Sequence, residues 1–130
     1  MARIEVSFPG GVQVAARIGS LEVLTDQPVE DGGDGTAPSP YDLFLSSVAT
    51  CAGYYALRFC QERQLQIEGL AINLDIDRHP DSGKLETITM TLSLPTGFPE
   101  KYQRAILRSM DQCSVKKALT DPPDVELTIG

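Results

Sequence analysis

Three cysteines, Cys51, Cys60 and Cys113, are the side chains of this chain best suited to chemistry. Cys51 closes the stretch PSPYDLFLSSVATC, and Cys113 sits within LRSMDQCSVKKAL. A thiolate is a nucleophile, and once oxidised to a sulfenic acid it condenses with a second thiol to give a disulfide. Such a cycle needs two cysteines that can meet. Cys51 and Cys60 fall in one helical pattern, nine residues apart. At about 100° per residue they face opposite sides and lie roughly 13 Å apart along the axis. A disulfide requires Cα atoms within about 7 Å, so Cys113 is the same-chain partner left for Cys51.

The local surroundings of the two thiols differ. Cys113 precedes Ser114 at the start of a helical pattern that carries Lys116 and Lys117, so backbone dipole and cations are both expected to favour its thiolate. Cys51 lies in mid-helix, where burial raises a thiol unless an arginine approaches from elsewhere. On these grounds Cys113 is expected to ionise more easily.

Other candidates carry less. The odd cysteine count, with no CxxC pair and no histidine-rich spacing, argues against a disulfide framework and against a zinc or other metal site. Cys60 is assigned to packing, and His79, in the turn HPDSGK, to a solvated loop. Glu30, Asp31 and Asp34 crowd one loop without the spacing of a calcium loop. Tyr54 and Tyr55 are read as core or dimer-interface side chains, and Arg58 as an ion-pair partner near its helix's carboxyl end.

The elements that must position the cysteines follow from pattern and punctuation. One domain, 1–130, is expected from 130 residues. A net charge of −7 argues against a nucleic-acid groove, which needs a cationic surface. The amino terminus lacks a signal-peptide layout, and no apolar run is read as approaching the roughly 20 residues that span a bilayer, so no membrane is expected and the cytoplasm is the expected compartment.

Residues 3–8 alternate and end at Pro9-Gly10-Gly11, which reads as a strand and turn; 12–18 and 21–24 supply two more strands. The segment DQPVEDGGDGTAPSP reads as a long loop. A helix is expected from Pro40 to about Gln64, with Ser39 as N-cap and Asp42 in its first turn, and its small residues suggest a central buried helix. Leu70 to Ile76 and Ile88 to Leu94 alternate about a turn and form a hairpin. A second helix opens at Pro99, with Tyr102, Ile106 and Met110 on one stripe, and stops near Cys113. A third runs from Ser114 to Thr120, and Val125, Leu127 and Ile129 alternate as a closing strand. The order βββ-α-ββ-αα-β is that of an α+β domain.

The stretch GTAPSPYDLFLSSVATC, followed by CSVKKAL and a closing strand, resembles the OsmC/Ohr family of thiol peroxidases, especially its OsmC-like members. The resemblance implies an OsmC-like fold, with antiparallel sheets packed around two central helices in an intertwined homodimer and two sites at the subunit interface. It implies that Cys51 is the peroxidatic cysteine and Cys113 the resolving one, with no cofactor. The partners it implies are a small organic hydroperoxide and an external dithiol reductant, for which a dihydrolipoyl protein is the family expectation.

The family also supplies an arginine from the amino-terminal strands, for which Arg17 is the positional candidate, and a glutamate after the proline that begins the cysteine helix. Here Tyr41 stands at that place, with Asp42 beside it. A phenol, with an ordinary pKa of about 10, is no anionic anchor at neutral pH. Asp42 is shorter and points about 100° away round the helix. Two further readings therefore stand beside the peroxidase: a non-catalytic or small-molecule-binding dimer, and a thiol enzyme acting on a different electrophile.

Overall fold

The computed structural model describes residues 3–130. Two compact units divide the chain, residues 1–46 and 47–130. In the first, β1 (Ile4–Ser7), β2 (Val14–Ile18) and β3 (Leu21–Thr25) form an antiparallel sheet in the order β1-β2-β3. The turn after Pro9 puts Ile4 opposite Ile18 and Val6 opposite Ala16, and Gly19, at φ 62, makes the tight return into β3.

The long loop after β3 is more ordered than its composition suggests. It contains a 3-10 turn at Val29–Asp31 and folds back so that Asp26, which is buried, accepts hydrogen bonds from the Thr36 hydroxyl (2.6 Å), the Thr36 N–H (3.1 Å) and the Gln27 N–H (2.8 Å). Those bonds, the Thr36 hydroxyl foremost, hold the Asp26 carboxyl below its ordinary range. Gly33 passes so close to the Gln27 backbone that a Cβ there would lie 1.9 Å from the Gln27 carbonyl oxygen.

Helix α1 (Pro40–Glu62) begins where expected: the Asp42 N–H donates to the Ser39 hydroxyl at 3.1 Å, as an N-cap requires. It is not buried all round. Val48, Ala52, Ala56, Phe59 and Cys60 form one buried stripe, whereas Tyr54 is 56% exposed. The expectation about membrane spans also needs correcting, since by length and composition α1 is long and apolar enough to cross a bilayer. Its stripe is spent on a protein core instead.

In the second unit β4 (Ala71–Arg78) and β5 (Leu85–Ser93) pair antiparallel, with Ile72 opposite Leu92, Leu74 opposite Met90 and Ile76 opposite Ile88. The alternation read in sequence therefore puts one apolar face together. Ile72, Met90 and Leu92 from that face pack on Ala52, Ala56, Phe59 and Cys60 of α1. Ile106 and Met110 of α2 (Gln103–Met110) complete the core, with Tyr102 against it on a 3-10 turn. Arg63 lies 3.6 Å over the Phe59 ring and donates to the Phe59 carbonyl, closing the carboxyl end of α1.

Helix α3 (Ser114–Thr120) matches its expected bounds. The closing strand does not form: residues 121–130 have no ladder partner among the described residues, and Val125, Leu127 and Ile129 are 83%, 94% and 103% exposed. A strand exists only by pairing, so alternation alone does not make one.

Candidate functional site

Cys51 lies on the flank of the α1 stripe, three residues after Val48, and is half-buried. Cys113 is the last of the three residues that connect α2 and α3. Its N–H donates to the Met110 carbonyl at 3.3 Å, and its extended backbone (φ −54, ψ 121) makes it the N-cap of α3. The thiol there is fully buried. The structure brings the two close enough for each thiol to shift the ionisation of the other, and both are free thiols.

The opening turn of α3 organises the pair. An α-helix leaves its first N–H groups without helical partners. The Lys117 N–H reaches the Cys113 carbonyl at 3.1 Å, which leaves those of Ser114, Val115 and Lys116. The Lys116 N–H donates to Cys113 Sγ at 3.4 Å. The N–H groups of Ser114 and Val115 favour the ionised form of Cys51, and that of Val115 favours the ionised form of Cys113 as well.

These contacts reverse the expected order of ionisation. Burial by itself would raise the Cys51 thiol, but hydrogen bonds from Cys113, the backbone of Val115 and Ser114, and the Ser114 hydroxyl together hold it below its ordinary value. Burial pushes the Cys113 thiol up, and its bond to Cys51 raises it further against the pull of the Lys116 and Val115 N–H groups. Of the pair, Cys51 is the thiol whose surroundings favour ionisation and Cys113 the one whose surroundings oppose it. Of the two lysines expected to help Cys113, Lys116 pairs its ammonium with the Asp111 carboxylate instead.

Cys60 is fully buried in the core, and burial raises its thiol. Arg58 donates to Glu62 and Gln61 at 3.3 Å, the ion pair expected at that end of α1. His79 Nδ1 accepts from the N–H groups of Asp81 and Ser82 and shapes its turn. An apolar cavity of about 290 Å³ opens between α1 and β4, lined by Ala49, Thr50, Gly53, Ala56, Leu70, Ala71 and Ile72. At about 100° per residue its α1 residues lie roughly half a turn round the helix from Cys51, so this cavity is not the thiol site.

In the first unit, Tyr41 and Asp42 occupy the opening turn of α1. Tyr41 is 40% exposed with its ring 5.5 Å from that of Phe44, and the Asp42 N–H is capped by Ser39. Arg17 donates to Glu5 at 2.8 Å. Glu5 was legible in sequence but not read: a hairpin folding about Gly11 puts residue 5 opposite residue 17.

A family model of OsmC-like proteins matches residues 33–128, most of the chain and both cysteine contexts. The chain belongs to the OsmC-like family. Solved structures show the same fold at low identity. An osmotic-stress-induced and detoxification-response protein of Psychrobacter arcticus has a TM-score of 0.75 at 22% identity, covering 91% of this chain and 88% of that one. An OsmC-like protein of Mycoplasma pneumoniae gives 0.69 at 16%, covering 92% and 87%. An organic hydroperoxide resistance protein of Legionella pneumophila gives 0.60 at 19%, covering 92% and 88%. A search of curated proteins finds no match. This OsmC-like protein shares with those structures a mixed helix and sheet architecture with antiparallel sheets.

Proposed function

We propose that this OsmC-like protein is a thiol-dependent peroxidase that reduces organic hydroperoxides, with Cys51 as the peroxidatic and Cys113 as the resolving cysteine. The observation that carries the reading is the close pair of free thiols in which the half-buried member is the more acidic. The Cys51 thiolate attacks the outer oxygen of ROOH, the O–O bond breaks, and the products are a Cys51 sulfenic acid and RO⁻, which takes a proton to become ROH. Cys113 gives up its proton and attacks the Cys51 sulfur. The S–O bond breaks, hydroxide leaves and is protonated to water, and a disulfide remains for an external dithiol to reduce.

The protein acts as a homodimer in this reading. The exposed apolar side chains Ile4, Val6, Phe8 and Leu21, together with Val125, Leu127 and Ile129, support it, because a second copy would cover them.

One equivalent of cumene hydroperoxide added to the reduced protein is expected to remove two thiols and leave a Cys51–Cys113 disulfide, read by mass and peptide mapping. An unmodified Cys51 would overturn the proposal. Alkylation of Cys51 by an electrophile without any reaction with hydroperoxide would instead support a thiol enzyme of different chemistry, the reading that Tyr41 in the family's glutamate position favours.

A further inference from the structure

We propose that the cleft between the carboxyl end of α1 and the loop after β5 binds a small uncharged molecule with an amide edge on an apolar ring, as in a lactam, and that Gln64 reads that edge. The cleft has a volume of about 290 Å³, near the low end of the range for small-molecule sites. Two closed turns build its walls. On one side the Gln64 N–H donates to the Gln61 carbonyl at 3.1 Å and the Leu65 N–H to the Cys60 carbonyl at 2.9 Å, the paired bonds of a Schellman cap. On the other the Phe98 N–H donates to the Pro95 carbonyl at 3.1 Å, with Gly97 at φ 78 inside the turn. Leu65 and Phe98 pack on the core and Pro95 is buried, so the apolar part of the lining is fixed before any ligand arrives. Neither Cys51 nor Cys113 lines this cleft, and the inference goes beyond the peroxidase reading without depending on it.

The polar lining sets the chemistry. Gln64, Gln66 and Thr96 are exposed, and among the described residues their side chains make no hydrogen bond. A carboxamide presents an N–H donor and a carbonyl acceptor side by side. Its complement is a second amide with donor and acceptor on one edge, which a lactam ring holds rigidly. No ionisable side chain lines the cleft, so a charged ligand would find no counter-charge. The backbone of Gln64 is a separate observation. At φ 56 it is the one non-glycine residue at positive φ among the described residues. It fills the cap position where glycine is usual, because a Cβ is crowded in the left-handed region. Stability by itself would favour glycine there, and glycine would strip the cleft of this carboxamide. A capping role and a ligand role therefore give opposite signs for one substitution.

The test titrates δ-valerolactam into the isotope-labelled full chain and follows backbone amide resonances. Saturable shifts are expected at Gln64, Leu65, Gln66, Thr96, Gly97 and Phe98, with a dissociation constant on the order of millimolar for so small a molecule. Cyclohexanone keeps the ring and the carbonyl but has no N–H, and is expected to bind at least about threefold more weakly; so is piperidinium, which carries a charge. Gln64→Gly is expected to weaken lactam binding about fivefold or more while leaving the melting temperature unchanged or higher. Gln64→Glu keeps the length but not the N–H donor, and is expected to weaken it as well. The absence of saturable shifts at the cleft with lactam at about 50 mM, well above that constant, would overturn the proposal. Parent affinity in either Gln64 variant, or cyclohexanone bound as tightly as the lactam, would also overturn it. Because the titration involves no peroxide, a protein inert toward hydroperoxide would refute the peroxidase reading and leave this result standing.

Discussion

Replacing Cys113 by alanine or by serine separates its two roles before any peroxide is added. In the parent protein the Cys113 thiol donates to Cys51, and its sulfur accepts the Lys116 N–H at 3.4 Å. Alanine removes both. Losing a cap acceptor costs about 0.5–2 kcal/mol. Losing a donor to a charged acceptor costs about 1.5–3 kcal/mol in a dry site. Because S–H is a weak donor and Cys51 is only half-buried, the loss falls below that range, at about 1 kcal/mol, or roughly fivefold in thiolate population. Serine keeps an acceptor for Lys116 and an O–H for Cys51. Stopped-flow alkylation of Cys51 near neutral pH is therefore expected to be about fivefold slower in Cys113→Ala and close to the parent rate in Cys113→Ser, although neither variant can close a disulfide. Thermal melting is expected to follow the same order. Equal alkylation rates in the two variants would refute the claim that the Cys113 proton stabilises the Cys51 thiolate.

The pH dependence has two opposing parts. Cys51, held below its ordinary value, stays reactive as pH falls below the usual thiol range, and the stability its thiolate contributes is lost as pH drops through its folded pKa. Cys60 and Cys113 are raised, so their contribution is complete below the unfolded value of 9.0 and fades as pH climbs toward their folded values. Urea denaturation across pH 8–10.5 is expected to show a shallower alkaline loss of stability in Cys60→Ala than in the parent; identical slopes would contradict the raised Cys60 thiol. Gly33→Ala forces a methyl against the Gln27 carbonyl, so the loop must open. A loss of about 2 kcal/mol or more is expected by chemical denaturation, and a neutral result would refute the close approach. Deleting residues 124–130 removes Val125, Leu127 and Ile129 and is expected to weaken self-association, read by light scattering across concentration. An unchanged oligomeric state would exclude that segment from the interface.

Local pattern was enough for much of this molecule. Ser39 before Pro40, the alternation on either side of the HPDSGK turn, and the Tyr102, Ile106, Met110 stripe each specify an element because the signal and the structure share one short range of chain. The separation of Cys51 from Cys60 is likewise a property of one helix. The alternation of Val125, Leu127 and Ile129 is equally local, but a ladder needs a second strand, and none of the described residues pairs with this segment.

What only the tertiary structure decided is the chemistry of the pair. Sequence assigned the more acidic thiol to Cys113 from its neighbours along the chain, Ser114, Lys116 and Lys117. In the folded protein the donors of that turn are shared across space: those of Ser114 and Val115 favour the ionised form of Cys51, and so does Cys113 itself. A thiol's ionisation is set by the groups within hydrogen-bond reach and by the water it has lost, and neither follows from position in the chain. The sequence determined which two sulfurs could meet. The fold determined which of them its surroundings favour as the thiolate.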